Sequence, residues 1–76
     1  MTALDNLNTA IKRAGGIVKF AAALGVTHQA VTNWRRQGFV PPTRALQIET
    51  LTSIPRVSLL SPDLAAVYAA PVDDVL

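Results

Sequence analysis

Apolar residues near the start of the chain recur at helical spacing: Leu4, Leu7, Ile11 and Ala14 stand at i, i+3, i+7 and i+10. That is the stripe of one amphipathic helix. Thr2 or Asp5 is placed to cap its start, and Gly15-Gly16 to end it where the backbone must turn left-handed. The next segment, Ile17 to Leu24, is apolar except for Lys19. Its small Ala21, Ala22 and Ala23 predict a central helix that neighbours approach closely on several sides. Gly25 then offers the positive φ of a tight interhelical turn. Val26 follows as a buried plug, and Thr27 is a natural N-cap for a third helix from His28 to about Gln37, with Gly38 ending it. Val40-Pro41-Pro42 forms a stiff extended lead into a fourth helix, whose first turn tolerates proline. Ala45, Ile48, Leu51 and Thr52 are expected to form that helix's inward face. Leu46 points off the stripe and needs another cover, either the tail or a partner subunit.

After Ser53 the periodicity fades. Pro55 and Pro62 bracket RVSLLS, read as one capped helical turn beginning at Ser58 in preference to a short strand. Residues 65–76, AAVYAAPVDDVL, are too apolar for a simple solvated tail, and Pro71 breaks any helix through them. Tyr68 with Leu64, Val67 and Val72 either forms a dimer patch or folds back over the fourth helix. The expected fold is all-α, a compact bundle of four to five helices whose second and third form a helix-turn-helix. Residues 1–64 form the folded domain in this reading, and residues 65–76 an apolar and acidic tail for dimerisation or partner contact.

A chain of 76 residues makes one small domain with a marginal core, so much of its apolar half must be buried. It has no cysteine, which removes disulfides, zinc knuckles and thiol chemistry and fits a reducing cytoplasm. No apolar run approaches the roughly 18 residues of a spanning helix. The first ten residues carry an acid and no base, unlike a secretory signal. The expected location is therefore cytoplasmic, with no membrane partner.

The net charge of +2 hides a strong asymmetry. Residues 10–56 hold all seven basic side chains (Lys12, Arg13, Lys19, Arg35, Arg36, Arg44, Arg56) against Glu49 alone, a net +6. Residues 57–76 hold Asp63, Asp73 and Asp74 and no base, a net −3. An anion-binding body with a separate acidic tail follows. Glu49 is within sequence reach of Arg44 and Arg56, but an exposed pair contributes little.

The third helix locates the chemistry. At about 100° per residue, Ala30, Val31 and Trp34 share one side, while His28, Gln29, Thr32, Asn33 and Arg36 share the other. The second set mixes amides, a hydroxyl, an imidazole and a guanidinium, the groups that read base edges. Trp34 belongs with Val31 in the core and is not a stacking platform. Arg35 lies at the edge of the polar arc, where phosphate contact and plain solvation fit its spacing equally. His28 is the one histidine, and Leu24 and Thr32, one turn away on either side, offer no metal ligand, so no metal site is expected. Five scattered carboxylates, serines without a base and no glycine-rich phosphate loop give no catalytic residue, no cofactor and no enzyme.

The stretches AGG (14–16), AAALGVTHQAVTNWRRQG (21–38), VPP (40–42), RALQIE (44–49) and SPDL (61–64) resemble the phage Cro and YdaS-like family of small helix-turn-helix transcriptional repressors. The resemblance runs from about Leu7 to Leu64. It implies a lambda-repressor-like DNA-binding domain in which Ala21 sits where two helices cross, Gly25 makes the turn, and Leu24, Val26, Val31 and Trp34 are core. The N-terminal part of the second motif helix then enters the major groove, so His28, Gln29, Thr32, Asn33 and Arg36 would contact bases. Thr27, Lys19, Arg35 and Arg44 would contact phosphates. Ile17 stands where members commonly carry a polar residue, so its backbone N–H group, not its side chain, would serve a phosphate. The resemblance also implies a repressor that binds a near-palindromic operator as a homodimer, at least on DNA. The alternative is an antitoxin-like module that binds a partner protein, a toxin, and autoregulates its operon.

Overall fold

The computed structural model describes residues 2–69. Five α-helices and one 3-10 turn follow each other along the chain: α1 (Ala3–Ala14), α2 (Ile17–Leu24), α3 (His28–Gln37), α4 (Pro42–Thr52), the 3-10 turn Arg56–Leu59, and α5 (Pro62–Ala69). The all-α expectation holds, and α2 and α3 form the expected pair.

The ends of these helices follow from local chemistry. Thr2 caps α1 through a reciprocal box: its Oγ1 accepts from the Asp5 N–H at 3.1 Å, and the Asp5 carboxylate accepts from the Thr2 N–H at 3.2 Å. Thr27 caps α3, its Oγ1 accepting from the Ala30 N–H at 3.2 Å. Pro41 and Pro42 open α4 as N-cap and first helical residue, where a missing N–H costs nothing. The α2–α3 turn is made at Gly25, with φ +72° and ψ +28°. There the Gly25 N–H donates to the Ala22 carbonyl and the Val26 N–H to the Ala21 carbonyl. This double closure satisfies the last carbonyls of α2 and sets the angle at which α3 leaves.

Open space surrounds Gly25, so a Cβ there meets nothing within 4 Å beyond its chain neighbours. The cost of a substitution is therefore backbone strain alone, about 1–2 kcal/mol for an ordinary L-residue and larger for a β-branched one. Gly25→Val is expected to lower the melting temperature by roughly 5–15 °C, at ~4–8 °C per kcal/mol in a domain this size. Gly25→Asn should cost less. Unchanged melting of the valine variant would contradict the turn.

Leu7, Ala10, Phe20, Val31, Val40, Ala45, Ile48 and Leu59 are sealed from solvent or within 1% of it, with Trp34, Leu24, Ala21, Ile54 and Leu60 around them. α1 lies at the centre of this arrangement, packing on α2, α3, α4 and the 3-10 turn. Three polar ties brace the far side: Asn6 Nδ2 donates to the Ser58 carbonyl at 2.9 Å, Arg13 Nη1 to the Thr52 carbonyl at 3.0 Å, and the Val40 N–H to the Leu59 carbonyl at 3.0 Å. The Arg13 bond covers a carbonyl at the open end of α4. Among the described residues, no buried polar side-chain atom lacks a partner.

The structure corrects several expectations. α2 is not covered on several sides: Phe20, Ala21 and Leu24 are buried, whereas Ala22 and Ala23 are exposed and Val18 is 70% exposed. An eight-residue helix can seal the core with one face, and exposed alanines cost little. Leu51 does not join the inward face of α4 but is 47% exposed. Ala45, Thr52 and Ile48 span about 60° of the helical wheel, and Leu51 lies about 60° outside that arc. Leu46, also 47% exposed, points off the stripe as expected. Val26 is half-buried and not a full plug. Ser58 falls inside the 3-10 turn, which begins at Arg56 behind Pro55. Glu49 binds neither arginine side chain predicted for it. It accepts instead from the backbone N–H of Arg56 at 3.2 Å and thereby holds the turn. α4 ends at Ser53 in a left-handed conformation, φ +64°, a role nothing in the sequence pattern marks. α5 runs across the 64/65 position and packs Leu64 and Ala65 on the core. The readings placed on Pro71, Val72, Asp73, Asp74 and the Tyr68 side chain fall outside the described residues.

Candidate nucleic-acid interface

α3 separates its faces as the sequence implies. Val31 and Trp34 are buried and Ala30 is half-buried, while His28, Gln29, Thr32, Asn33 and Arg36 are all exposed. The five exposed side chains line one surface depression of about 440 Å³. The structure therefore brings together every residue the sequence assigned to base contact. No acidic residue occurs in α2 or α3, so the positive ends of both helix dipoles are uncompensated by their own side chains.

Hydrogen bonding decides what each group still offers. The Thr32 hydroxyl donates to the His28 carbonyl at 3.0 Å, so its proton is committed while its oxygen and methyl remain exposed. That combination suits acceptance from a base amine or contact with a thymine methyl. The Thr27 oxygen accepts from Ala30, which leaves its proton free to donate to an anion. Gln29, Asn33 and Arg36 carry the forked donor and acceptor groups that pair bidentately with adenine or guanine edges.

The residues assigned to phosphate differ in readiness. Ile17 opens α2 behind Gly16, which supplies no side-chain cap. The first backbone bond of that helix runs from the Phe20 N–H to the Gly16 carbonyl, so the N–H groups of residues 17–19 have no acceptor within the helix. Lys19 is exposed, and its stem lies across Gly15: a Cβ built there would sit 2.9 Å from the Lys19 Cδ. Its ammonium is thus held beside the start of α2. Arg35 is exposed and lines, with Arg36, a depression that α1 borders. Arg44 is different. It is half-buried, and its Nη1 donates to the Leu24 carbonyl at 3.2 Å and to Gln47 Oε1 at 2.7 Å. Its first task is to satisfy the C-terminal end of α2 and lock α4 onto the motif.

Sequence reasoning missed that α1 borders this face. Leu4 and Asn8, one turn apart, line a second depression of about 320 Å³ together with Thr32, Arg35 and Arg36. Only the packing of α1 beside α3 creates that neighbourhood, and no local signal announces it. Among the described residues, no three His, Asp or Glu side chains approach as a metal-binding group. No helix of the described residues is long and apolar enough to cross a membrane.

The model of the family described as bacterial toxin YdaS matches residues 7–67. Among solved structures, the chain is similar to the Cro protein from prophage element Xfaso 1 in Xylella fastidiosa strain Ann-1. The two are 38% identical, with a TM-score of 0.68 over 78% of this chain and 89% of that one. Comparison with curated proteins gives no match.

Proposed function

The chain belongs to the YdaS family and has a Cro-like fold, and from that premise we propose that it is a sequence-specific, double-stranded DNA-binding transcriptional repressor. The observation that carries this reading is the outer face of α3, where five side chains able to read bases share one exposed depression. α3 enters the major groove, and His28, Gln29, Thr32, Asn33 and Arg36 contact base edges. Thr27, Lys19, Arg35 and the N–H groups at Ile17 hold phosphates on either side and supply affinity without sequence information. Arg44 reaches a phosphate only as far as its bonds to Leu24 and Gln47 allow.

A reader of one short helix rarely holds DNA tightly at physiological salt. The protein therefore acts as a homodimer on a near-palindrome with half-sites about one helical turn apart, and represses by occupying the site. The DNA-reading unit extends through the part of α5 that packs on the core, Leu64 and Ala65, and the chain beyond serves the dimer or partner contact. It works in the cytoplasm, where its DNA is, and catalyses no reaction.

The test is a salt titration of duplex binding. The logarithm of affinity should fall linearly with the logarithm of salt, with a slope of about −0.9 per phosphate neutralised. Lys19→Ala is expected to flatten that slope by about one phosphate and to weaken binding to specific and random duplexes alike. A wild-type affinity independent of salt would overturn the proposal.

A second reading rests on the description of the matched family as a toxin. In a toxin–antitoxin pair it would place this chain on the toxin's side and a second protein as its neutraliser, the reverse of the antitoxin-like alternative that the resemblance implied. Growth arrest on expression that persists in Gln29→Ala and Arg36→Ala variants would favour a protein target. Arrest that disappears in both would make the toxicity a consequence of DNA occupancy.

A further inference from the structure

We propose that the depression between α1 and α3 is a phosphodiester pocket, and that Asn8 is a DNA-backbone ligand working beside Arg35; this rests on the DNA-binding reading above. Leu4, Asn8, Thr32, Arg35 and Arg36 line the pocket. Arg35 and Arg36 both line it, and no carboxylate does. Asp5, the nearest acid along α1, holds the Thr2 N–H in the capping box. Arg36 also lines the base-reading depression and serves the groove in the reading above, which leaves Arg35 as the cation that meets an anion here. Arginine's planar fork suits a phosphate oxygen pair, and the Asn8 amide adds two further donors. Leu4 gives the depression an apolar edge.

The depression, about 320 Å³, is open to solvent along its length. A duplex backbone can therefore lie across it without displacing protein atoms. The position is also right for DNA. Thr32 and Arg36 line both this pocket and the base-reading depression on α3, so the pocket borders the groove face directly. A duplex seated on α3 brings its backbone along that border. Asn8 then joins α1 to the interface and fixes the tilt of α3 in the groove, since phosphate contacts orient the protein on the duplex.

The experiment uses the full chain, duplex DNA with single methylphosphonate substitutions, and the variants Asn8→Ala and Arg35→Ala. Asn8 is exposed on a helix, and alanine is the better helix former, so the fold should survive; a melting curve checks it. Asn8→Ala is expected to weaken binding about 5–10-fold on every duplex sequence, with the salt slope unchanged because a neutral donor is lost. Arg35→Ala is expected to weaken it comparably and to flatten the slope by about one phosphate. One methylphosphonate position should cost the wild type about 5–10-fold and cost either variant less than twofold.

Asn8→Ala binding within twofold of wild type would overturn the pocket while leaving the DNA-binding reading intact. So would a loss confined to particular base sequences, which would make Asn8 a base reader. A wild-type chain that binds no duplex would end both proposals together.

Discussion

Replacing Arg36 with alanine should erase base preference at one defined position of the bound site, and Gln29→Ala should do the same at another. Each good bidentate pair discriminates by ~1–3 kcal/mol, so the preferred base at each position loses roughly 5–150-fold of its advantage. The effect belongs to these residues because both are exposed on one face and neither side chain supports the fold. Stability should therefore stay within ~0.5 kcal/mol of wild type, as for other surface substitutions. Selection of bound duplexes from a random pool, run in parallel on wild type and both variants, measures the change. If both variants lower affinity for all sequences by equal factors, α3 holds DNA without reading it.

The largest effect on stability is expected at Phe20. It is the largest fully buried side chain and stands on α2, which must present α3 at a fixed angle. Phe→Ala in a core costs ~3–5 kcal/mol through lost transfer energy and the cavity left behind. A chain of 76 residues at ~0.05–0.15 kcal/mol per residue has roughly 4–11 kcal/mol in all. Phe20→Ala should thus remove about a quarter or more of the stability and carry DNA binding down with it on warming. Phe20→Leu, which refills most of the volume, should keep both. Urea unfolding followed by circular dichroism checks this, and a loss under ~1 kcal/mol for the alanine variant would place Phe20 outside the structural core.

The helix-turn-helix was legible because its determinants are local. Gly25 needs a positive φ, Thr27 needs only the next turn of its own helix, and the α3 faces separate by spacing alone. The same holds for Thr2 and Asp5 at the start of α1. What stayed hidden depends on distant partners. The outward turn of Leu51, the Arg44 bond to Leu24 and the pocket shared by Asn8 and Arg35 arise from where whole helices come to rest. Local spacing also overstated the burial of α2, because an apolar sequence says what a helix tolerates and not how many neighbours reach it. Ser53 shows the complementary gap: a left-handed helix end carried by serine lacks the glycine signal that marked the other ends. The candidate base-reading set was legible because it sits on one helix. The candidate phosphate pocket was missed because it bridges two.

Residue-resolved NMR of the uniformly labelled chain, titrated with a short duplex at low ionic strength, bears most directly on the claim that the outer face of α3 meets DNA. The largest shifts are expected at the amides of residues 27–36, followed by those at the start of α2, while Ala45, Ile48 and Leu59 in the core stay still. Shifts that spare α3 and gather elsewhere, or no shifts at all, would contradict it.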